Sequence, residues 1–278
     1  MFFLANPDKP EAAQAMRDLV SFVRGRCDVA GAREGRDAGE AVALGADRVV
    51  VLGGDGTLIG AVRSLQGEPI PLVGVNVGKL GFLTEFSMEE FRRSFDRIVT
   101  DETLVHRRTM LRVRVQSNGV KRDPVIAVND CVIQAGPPFR IIRLDIGING
   151  EPLTELAGDG VIVCTPSGST AHNLSAGGPI MQAGVDAIAL TPLAPHSLTH
   201  KPLVIERDAV IDVRAAQVNP GTTVIIDGQI SFPLEPDDCV TVTRSDRDFL
   251  LVRNPACSQW HNLIGKLQWG RRPPVAES

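Results

Sequence analysis

Apolar and polar positions along the first hundred residues form blocks that change between strand and helix periodicity. Phe2–Ala5 is a short apolar run typical of a strand, and Glu11–Arg24 has apolar residues at helical spacing. Arg48–Leu52 is an apolar, β-branched run that predicts a buried strand. Leu58–Leu65 follows as a predicted helix, and Pro71–Val75 as a further strand. Alternating strands and helices predict a parallel sheet with crossover helices.

From about residue 104 to 245 the helical period fades, and short β-rich runs separated by turn signals replace it. The predicted strands are Leu111–Gln116, Val125–Val128, Cys131–Gln134, Leu144–Ile148, Gly160–Cys164, Thr222–Ile226 and Val240–Thr243. Asn118-Gly119 and Asn149-Gly150 are typical hairpin turns. This spacing predicts a mostly antiparallel domain, either a sandwich or layered sheets. One stretch within it, Gly177–Ala189, is predicted as a helix.

Two further features complete the predicted organisation of the chain. Near the C-terminus, Phe249–Val252 is an apolar run and Ser258–Leu267 predicts a helix, whereas residues 271–278 resemble a frayed end. The charged run Arg33–Arg36 is predicted to be a solvated loop. The change in pattern predicts an α/β domain at residues 1–103, a β-rich domain at 104–245, and a tail at 246–278.

Composition narrows the class of protein. The 278 residues are 43 % apolar and 22 % charged, which is typical of a globular protein and argues against disorder. A net charge of −4 excludes a globally basic nucleic-acid binder, though not a local basic pocket. The apolar start, Met1–Leu4, is too short for a signal peptide. No stretch of 18 apolar residues is present, so we expect no membrane span and a cytoplasmic protein.

The five cysteines support the same location. They are scattered, odd in number and without a C-x-x-C pair, which favours reduced thiols over disulfides or a zinc site. These cysteines are Cys27, Cys131, Cys164, Cys239 and Cys257.

The sharpest local motif is Gly53-Gly54-Asp55-Gly56-Thr57, between a predicted strand and a predicted helix. The glycines allow a tight turn and a close approach of the backbone to a ligand. The N-terminus of the following helix is suited to bind phosphate. A carboxylate at Asp55 suits proton abstraction from a hydroxyl or contact with a metal. The alternative is a Gly-rich turn in which Asp55 is only a helix N-cap.

Two further motifs lie in the β-rich region. Gly158-Asp159-Gly160 precedes a strand that leads into Thr165–Pro179, a long uncharged run of hydroxyl and glycine residues. Such a run presents many hydrogen-bonding groups and favours an ordered binding loop over a flexible one. Asn129-Asp130 follows another predicted strand, where an amide and a carboxylate suit sugar hydroxyls, although this pair is also common in turns.

Taken together, the motifs resemble those of the NAD kinase family along almost the whole chain. Gly53–Thr57 reads as the family's G-G-D-G-T, and Asn76–Thr84 matches N-x-G-x-L-G-F-L. Asn129-Asp130 falls where the family has Asn-Glu or Asn-Asp. Thr165–Pro179 matches T-P-x-G-S-T-A-Y-x-L-S-A-G-G-P, and Asp227-Gly228-Gln229 matches a late D-G-Q. Five motifs in the same order make coincidence improbable, although lipid kinases share G-G-D-G-T.

The resemblance implies transfer of the terminal phosphoryl group of ATP to the 2′-hydroxyl of the adenosine ribose of NAD, giving NADP. It implies a Rossmann-like α/β domain and a second, β-sandwich-type domain, with the C-terminal tail returning to the first. It also implies a divalent metal ion, most simply Mg²⁺ carried by ATP, and a homo-oligomer, either dimer or tetramer. Neither a nucleic acid nor a membrane is expected as a partner.

The resemblance also assigns roles to single residues. Asp55 is the expected catalytic base, and the donor phosphates are expected on the backbone N–H groups of the rest of its motif: Gly53, Gly54, Gly56 and Thr57. Asn129 and Asp130 are expected to line the NAD adenosine, with Asp130 accepting hydrogen bonds from ribose hydroxyls. The loop residues expected around the adenine are Thr170, Ala171, His172, Asn173 and Ser175. The remaining expected contacts are Phe82 on the adenine, Arg140 on the pyrophosphate, Ala194 as a backbone wall, and Asp159 and Gln229 at the far side.

Two positions depart from the family pattern. His172 stands where Tyr is usual, which makes NAD binding pH-sensitive unless any flat ring suffices there. Ala157 stands where a basic residue is frequent, so this chain lacks that phosphate contact or uses another cation. Two other functions stay open at this stage: a lipid or sphingoid-base kinase, disfavoured by the absence of a membrane-contacting stretch, and a non-catalytic NAD(P) sensor, disfavoured by the intact Asp55.

Overall fold

The structure is a computed structural model that describes residues 1–78, 81–117 and 119–267. Three sequence features lie outside these residues: the Lys79-Leu80 pair of the Asn76–Thr84 motif, Asn118 of one predicted hairpin turn, and the predicted frayed end at 271–278. The described chain divides into two compact units. The first comprises Met1–Leu65, Ile70–His106 and the segment from Leu250 onward, and the second comprises Gln66–Pro69 and Arg107–Phe249.

Strands and helices alternate only in the first part of the described chain. The strands are β1 Phe2–Ala5, β2 Gly31–Glu34, β3 Val49–Gly53, β4 Leu72–Asn76, β5 Val105–Arg108, β6 Leu111–Ser117, β7 Val120–Lys121, β8 Val125–Ala127, β9 Asp130–Gln134, β10 Ile142–Ile148, β11 Glu151–Gly158, β12 Gly160–Cys164, β13 Ala187–Leu193, β14 Leu203–Glu206, β15 Ile211–Gln217, β16 Thr223–Ile226, β17 Ile230–Pro233, β18 Cys239–Arg244 and β19 Phe249–Val252. The α-helices are α1 Pro10–Val23, α2 Gly39–Ala43, α3 Asp55–Ser64, α4 Met88–Thr100, α5 His172–Ser175 and α6 Gln259–Leu267. Short 3-10 turns occupy Glu102–Leu104 and Gly168–Thr170.

The first unit is built on a six-stranded sheet with the order β2-β1-β3-β4-β19-β5. The first four strands pair in parallel, because a helix follows each of them and returns the chain to the same end of the sheet. β3 and β4 are buried along their whole length, as apolar strands covered on both faces must be. The apolar faces of α1 and α4 pack in one core with β1, β3 and β4. The α/β class predicted for this region is confirmed.

Several elements of this unit were not predicted, among them β2, α2 and α4. β2 is an exposed edge strand paired with β1, so the prediction of a solvated loop at Arg33–Arg36 is wrong for Arg33 and Glu34. Backbone pairing to a buried neighbour organises this polar segment, which its own side chains do not reveal. α2 is a single short helix, and α4 begins with a capping box in which Ser87 and Glu90 bond each other's backbone N–H groups. That capping box is a local signal that the sequence carries.

The second unit contains two antiparallel sheets that share one core. The first sheet has the order β11-β10-β15-β18-β6-β7, with β8 also paired to β6, and the second has the order β14-β13-β12-β9-β16-β17. Alternate residues of both sheets point into the common core, among them Val113, Leu144 and Val213 from one sheet and Ile133 and Val163 from the other. This packing confirms the predicted sandwich-type domain.

The Asn149-Gly150 hairpin is confirmed. Ile148 of β10 lies opposite Glu151 of β11, and the two turn residues have φ of 54° and 81°. Both values lie in the left-handed region that a type I′ turn requires, which Asn and Gly adopt at low cost.

The helix predicted at Gly177–Ala189 is wrong. This stretch is irregular until β13 begins at Ala187. Gly177 has φ of 80°, a left-handed backbone conformation that is not helical, and Gly178 follows it with low helix propensity. Only its last three residues, Ala187–Ala189, have regular structure, and they belong to β13, whose main chain pairs with β12.

The C-terminal segment returns to the first unit, as the family resemblance implies. β19 lies beside β4 with parallel pairing, and Arg253 donates from its backbone N–H to the carbonyl of Leu104 at 2.9 Å. α6 follows over the stretch predicted as a helix. Within the described residues, none of the helices has both the length and the apolar character that a membrane span needs.

We expect Ser87→Ala to lower the free energy of unfolding by about 1 kcal/mol, because the first turn of α4 loses its side-chain acceptor. Urea denaturation followed by far-UV circular dichroism measures this change. Thr100→Ala, at the exposed end of the same helix, is the matched control and should change stability by a few tenths of that amount. Equal effects of the two substitutions would show that the capping box contributes nothing specific.

Candidate active site

The Gly-rich motif forms the junction between β3 and α3. Gly53 ends the strand, Gly54 is the N-cap in extended conformation, and α3 starts at Asp55. A Cβ on Gly53 would lie 2.6 Å from the hydroxyl oxygen of Thr57, so close packing requires glycine there. A Cβ on Gly54 would meet nothing within 4 Å, so this side of the helix N-terminus is open. The arrangement leaves room for an anion at the N-terminus of α3.

Asp55 is not the N-cap, so the alternative that gave it only this role is wrong. Its half-buried carboxylate instead reaches across to the segment after β4. Oδ2 accepts from the backbone N–H of Phe82 at 2.8 Å, and Oδ1 accepts from those of Leu83 and Thr84, each at 3.0 Å. The Thr84 hydroxyl donates to Oδ1 at 3.1 Å. Four donors therefore fix the carboxylate, three of them on Oδ1.

The unequal sharing of donors has a chemical consequence. A carboxylate oxygen has two lone pairs, and the described donors occupy Oδ1 fully but supply Oδ2 with a single N–H. Oδ2 therefore retains an acceptor direction for a hydroxyl of a ligand. Asn76 supports this geometry, because its amide donates to the Thr84 hydroxyl at 3.2 Å.

The segment that receives Asp55 is held very close to it. A Cβ on Gly81 would lie 1.9 Å from Oδ1 of Asp55, so glycine is obligatory at this position. The next residue, Phe82, carries the ammonium of Lys266 over its ring at 4.1 Å from the centroid. One face of the predicted adenine contact is therefore occupied by a cation from α6.

In the second unit, Asn129 and Asp130 lie where β9 begins. The carboxylate of Asp227 accepts from three successive backbone N–H groups, those of Val128, Asn129 and Asp130, at 2.7 to 3.2 Å. Asp227 has φ of 51°, which turns the chain after β16 so that its carboxylate faces these amides. The late D-G-Q motif thus contributes a carboxylate that organises the Asn-Asp pair, a role that the sequence analysis did not assign.

A cavity of about 180 Å³ opens at this end of the sheet. It is lined by Asn129, Asp130, Val132, Ala171, His172, Ile225, Asp227 and Gly228. The side-chain oxygen of Asn129 is buried, and no group of the described residues forms a hydrogen bond with it. An orphaned buried acceptor is costly, and a donor from a ligand would relieve that cost.

Asp130 is buried and lies near Asp227. Burial, and to a smaller extent the negative charge of Asp227, together raise the pKa of the Asp130 carboxyl to about 7. Both effects disfavour the charged form, because a buried carboxylate loses water and meets a like charge. The amides that would stabilise a carboxylate here are directed to Asp227 instead.

The loop after β12 is ordered by its own hydroxyl groups, which favours an ordered loop over a flexible one, while its binding role stays a prediction. Thr165 donates to the carbonyl of Val128 at 2.7 Å, and Ser169 donates to that of Pro166 at 2.7 Å. Asn173 is fully buried, with its amide bonded to the carbonyls of Ser169 and Pro179 and its oxygen to the Thr191 hydroxyl. Asn173 therefore holds the loop together and does not line the cavity.

The other predicted contacts divide between the two ends of the second sheet. Ala171 and His172 line the cavity, and Thr170, Ser175 and Gln229 lie in the segments that flank it. Asp159 and Ala194 instead lie beyond the far end of β9, where Asp159 bonds the carbonyl of Leu193. Arg140 is exposed and is tied through its carbonyl to Asn219 at that same end.

The structure thus does not bring Arg140, Asp159 and Ala194 to the cavity of this chain. The five residues of β9 separate the two ends by about 15 Å. Motif order alone cannot reveal this separation, because an antiparallel strand sends consecutive loops to opposite ends of the sheet. No group of three or more His, Cys, Asp or Glu side chains suited to a metal is found among the described residues.

Both the sequence and the fold match those of known proteins. Residues 28–103 match the family described as the ATP-NAD kinase N-terminal domain, and residues 128–254 match the ATP-NAD kinase C-terminal domain. An NAD kinase of Syntrophotalea carbinolica is 36% identical over 279 residues, covering 96% of this chain and 98% of that protein. An NAD kinase of Geotalea daltonii is 39% identical over 227 residues, covering 82% and 80%.

Two solved structures share the fold. An NAD kinase from Archaeoglobus fulgidus in complex with ATP superposes with a TM-score of 0.78 at 26% identity, covering 96% of this chain and 99% of that one. A yeast NADH kinase complexed with NADH superposes with a TM-score of 0.86 at 23% identity, covering 100% and 89%. At that lower identity, the second likeness concerns the fold alone.

We expect Asp130→Asn to stabilise the protein at pH 8 relative to the wild type. A carboxyl whose pKa is raised on folding binds its proton more tightly in the folded state, so the wild type loses stability as pH rises from about 4 to about 7. The neutral amide avoids that loss. Urea denaturation at pH 4, 6 and 8 should show a gain that is largest at pH 8 and absent at pH 4.

The matched control is Asp123→Asn, at an exposed carboxylate of the same unit. Its effect should not grow between pH 4 and pH 8. A pH-independent difference between Asp130→Asn and the wild type would contradict the raised pKa of Asp130.

Proposed function

The chain belongs to the NAD kinase family and is a phosphotransferase that acts on NAD, and we propose that Asp55 is the catalytic base of this reaction. The reaction moves the terminal phosphoryl group of ATP to the 2′-hydroxyl of the adenosine ribose of NAD, giving NADP. The observation that carries the proposal is the acceptor direction left on Oδ2 of Asp55, at the N-terminus of α3. A ribose hydroxyl that donates to Oδ2 loses its proton to Asp55 as its oxygen attacks the terminal phosphorus of ATP, whose bond to the bridging oxygen breaks to release ADP.

The hydrogen bonds of Asp55 suit this role. Backbone N–H groups hold Oδ1 rigidly, so the position of Oδ2 does not depend on a mobile side chain. Phosphoryl transfer depends mainly on positioning and on stabilising charge on the transferred group. The open N-terminus of α3 provides backbone N–H donors for that charge, and we assign the donor phosphates to the segment Gly53–Thr57.

A divalent metal ion, Mg²⁺ in our proposal, reaches the site as part of the ATP complex and neutralises phosphate charge there. The described residues offer no cluster of protein ligands that would hold such an ion by themselves. We therefore assign it no protein ligands.

The cavity of the second unit is proposed to bind the adenosine of NAD. The orphaned oxygen of Asn129 is suited to accept from an amino group of a base, and the ring of His172 offers a flat surface beside it. Asp130 is suited to a pair of ribose hydroxyls, because near neutral pH its carboxyl exists in both the donor and the acceptor form. Thr170, Ser175 and Gln229 are proposed as flanking contacts, and Phe82 as a contact of the adenine.

We also propose, from the sequence alone, a cytoplasmic location, a homo-oligomeric state, and contacts of Arg140, Asp159 and Ala194 with the nucleotide. The contacts with Arg140, Asp159 and Ala194 require part of a nucleotide to bind at the far end of β9.

We expect Asp55→Asn to lower kcat for NADP formation by at least about a hundredfold, because the amide nitrogen that replaces Oδ2 cannot accept a proton. A coupled dehydrogenase assay with ATP, Mg²⁺ and NAD measures turnover, and calorimetry measures NAD binding, which should stay within about threefold of the wild type. Asp96→Asn, on the exposed face of α4, is the charge-matched control and should leave turnover unchanged.

The outcome also separates the remaining alternatives. Turnover of Asp55→Asn at the wild-type rate would remove Asp55 from the role of base. A wild-type protein that binds NAD without forming NADP would favour the sensor function instead.

We expect Asn129→Ala to raise the KM for NAD roughly tenfold with little change in kcat, because the cavity loses its buried acceptor. Steady-state kinetics with varied NAD measures both constants. Gln14→Ala, which removes an exposed amide on α1, is the control. An unchanged KM would exclude the Asn129 side chain from the NAD site.

A further inference from the structure

The C-terminal segment holds residues 81–85 at both ends. At the first end, the ammonium of Lys266 in α6 donates to the carbonyl of Gly81 and lies over the ring of Phe82. At the second end, Asn254 donates from its backbone N–H to Oε2 of Glu85 and from its amide to the Glu85 carbonyl, both at 3.0 Å. Two separate parts of the tail therefore fasten one short segment.

The fastened segment is the one that orients Asp55. The backbone N–H groups of Phe82, Leu83 and Thr84 lie between the two attachment points, and all three donate to the Asp55 carboxylate. A shift of this segment would shift these donors together. A Cβ on Gly81 would lie 1.9 Å from Oδ1 of Asp55, so the segment also packs directly against the carboxylate.

Lys266 occupies an environment that its charge alone would not favour. The ammonium is half-buried, and burial lowers its pKa, while the nearby carboxylates of Asp55 and Glu85 and the thiol of Cys257 oppose that change. The Gly81 carbonyl, the Phe82 ring and two nearby carboxylates hold the ammonium in this place. A long flexible side chain held in one place by several partners restrains whatever it contacts.

We infer that Lys266 is a positioning residue for phosphoryl transfer: together with Asn254 it clamps residues 81–85 and so fixes the carboxylate of Asp55. This inference rests on the role of Asp55 proposed above. Lys266 acts through the Gly81 carbonyl and Phe82 and is not itself assigned a contact with the substrate. α6 also lies past residue 254, where the match to the family's C-terminal domain ends, so the family match does not describe this contact.

Lys266→Met tests the clamp, because methionine keeps a long apolar stem for Phe82 and removes the donor and the charge. We expect kcat for NADP formation to fall roughly ten- to a hundredfold, with the KM for NAD within about twofold of the wild type. We expect Lys266→Arg to restore kcat to within about threefold, since a guanidinium also donates to a carbonyl and stacks on an aromatic ring. Lys121→Met, at an exposed strand of the second unit, is the charge-matched control.

A second measurement is independent of turnover. Hydrogen–deuterium exchange of a peptide covering residues 81–85 should become faster in Lys266→Met than in the wild type, because the segment loses one of its two attachments. Unchanged exchange together with unchanged kcat would overturn the inference. So would a variant that melts earlier, changes kcat and KM together and is not rescued by arginine, because Lys266 would then serve only folding.

The two measurements also separate this inference from the proposed function. If Asp55→Asn is inactive and Lys266→Met turns over normally, the role of Asp55 stands and the clamp fails. If the wild type forms no NADP, the proposed function fails, while the exchange measurement still decides whether Lys266 restrains residues 81–85.

Discussion

The bonding of the Asp55 carboxylate to residues 82–84 is the interaction on which the site of the first unit depends. It joins the β3–α3 junction to a segment almost thirty residues further along the chain. Hydrogen bonds from N–H groups to a charged acceptor are short and strong, so they fix both partners. The same bonds consume most of the acceptor capacity of Asp55 and leave one direction on Oδ2. Rigidity and reactivity of this carboxylate are therefore set by the same contacts.

In the second unit, too, a carboxylate accepts hydrogen bonds from backbone N–H groups. A second carboxylate beside it does not receive those groups. Asp227 receives the backbone N–H groups of Val128, Asn129 and Asp130, whereas Asp130 is buried without them. Burial near a like charge then raises the pKa of Asp130 towards neutrality. The carboxylate of Asp227 therefore shapes the turn, whereas the carboxyl group of Asp130 is able to exchange a proton or a hydrogen bond with a ligand.

The C-terminal segment gives the first unit long-range contacts to residues 81–85, which its parallel sheet does not provide. β19 extends the sheet beside β4, and the residues after it reach back to the 81–85 segment. The chain thus places its last described elements around the segment that bonds the Asp55 carboxylate. Such distant contacts add order to a loop, because short-range bonds alone leave its ends free to move.

Local signals in the sequence predicted the fold class, and the family motifs predicted the reaction. Hydrophobic runs at Arg48–Leu52 and Pro71–Val75 predicted buried parallel strands, and Asn149-Gly150 predicted a hairpin, because these signals act over a few residues. The motifs likewise predicted Asp55 and Asn129-Asp130 as site residues, and these assignments stay proposals. Local signals failed where pairing or packing decided the outcome, as at the edge strand β2 and at the helix predicted for Gly177–Ala189.

Which residues lie next to each other depends on the three-dimensional fold. It directed Asn173 into the loop interior, gave Asp227 the amides beside Asp130, and placed Arg140 at the opposite end of β9 from the cavity. It also brought Lys266 to the Gly81 carbonyl. The physical reason is that hydrogen bonds and desolvation act through distances in space. Strand order and loop direction set those distances, and residue spacing along the chain does not encode them.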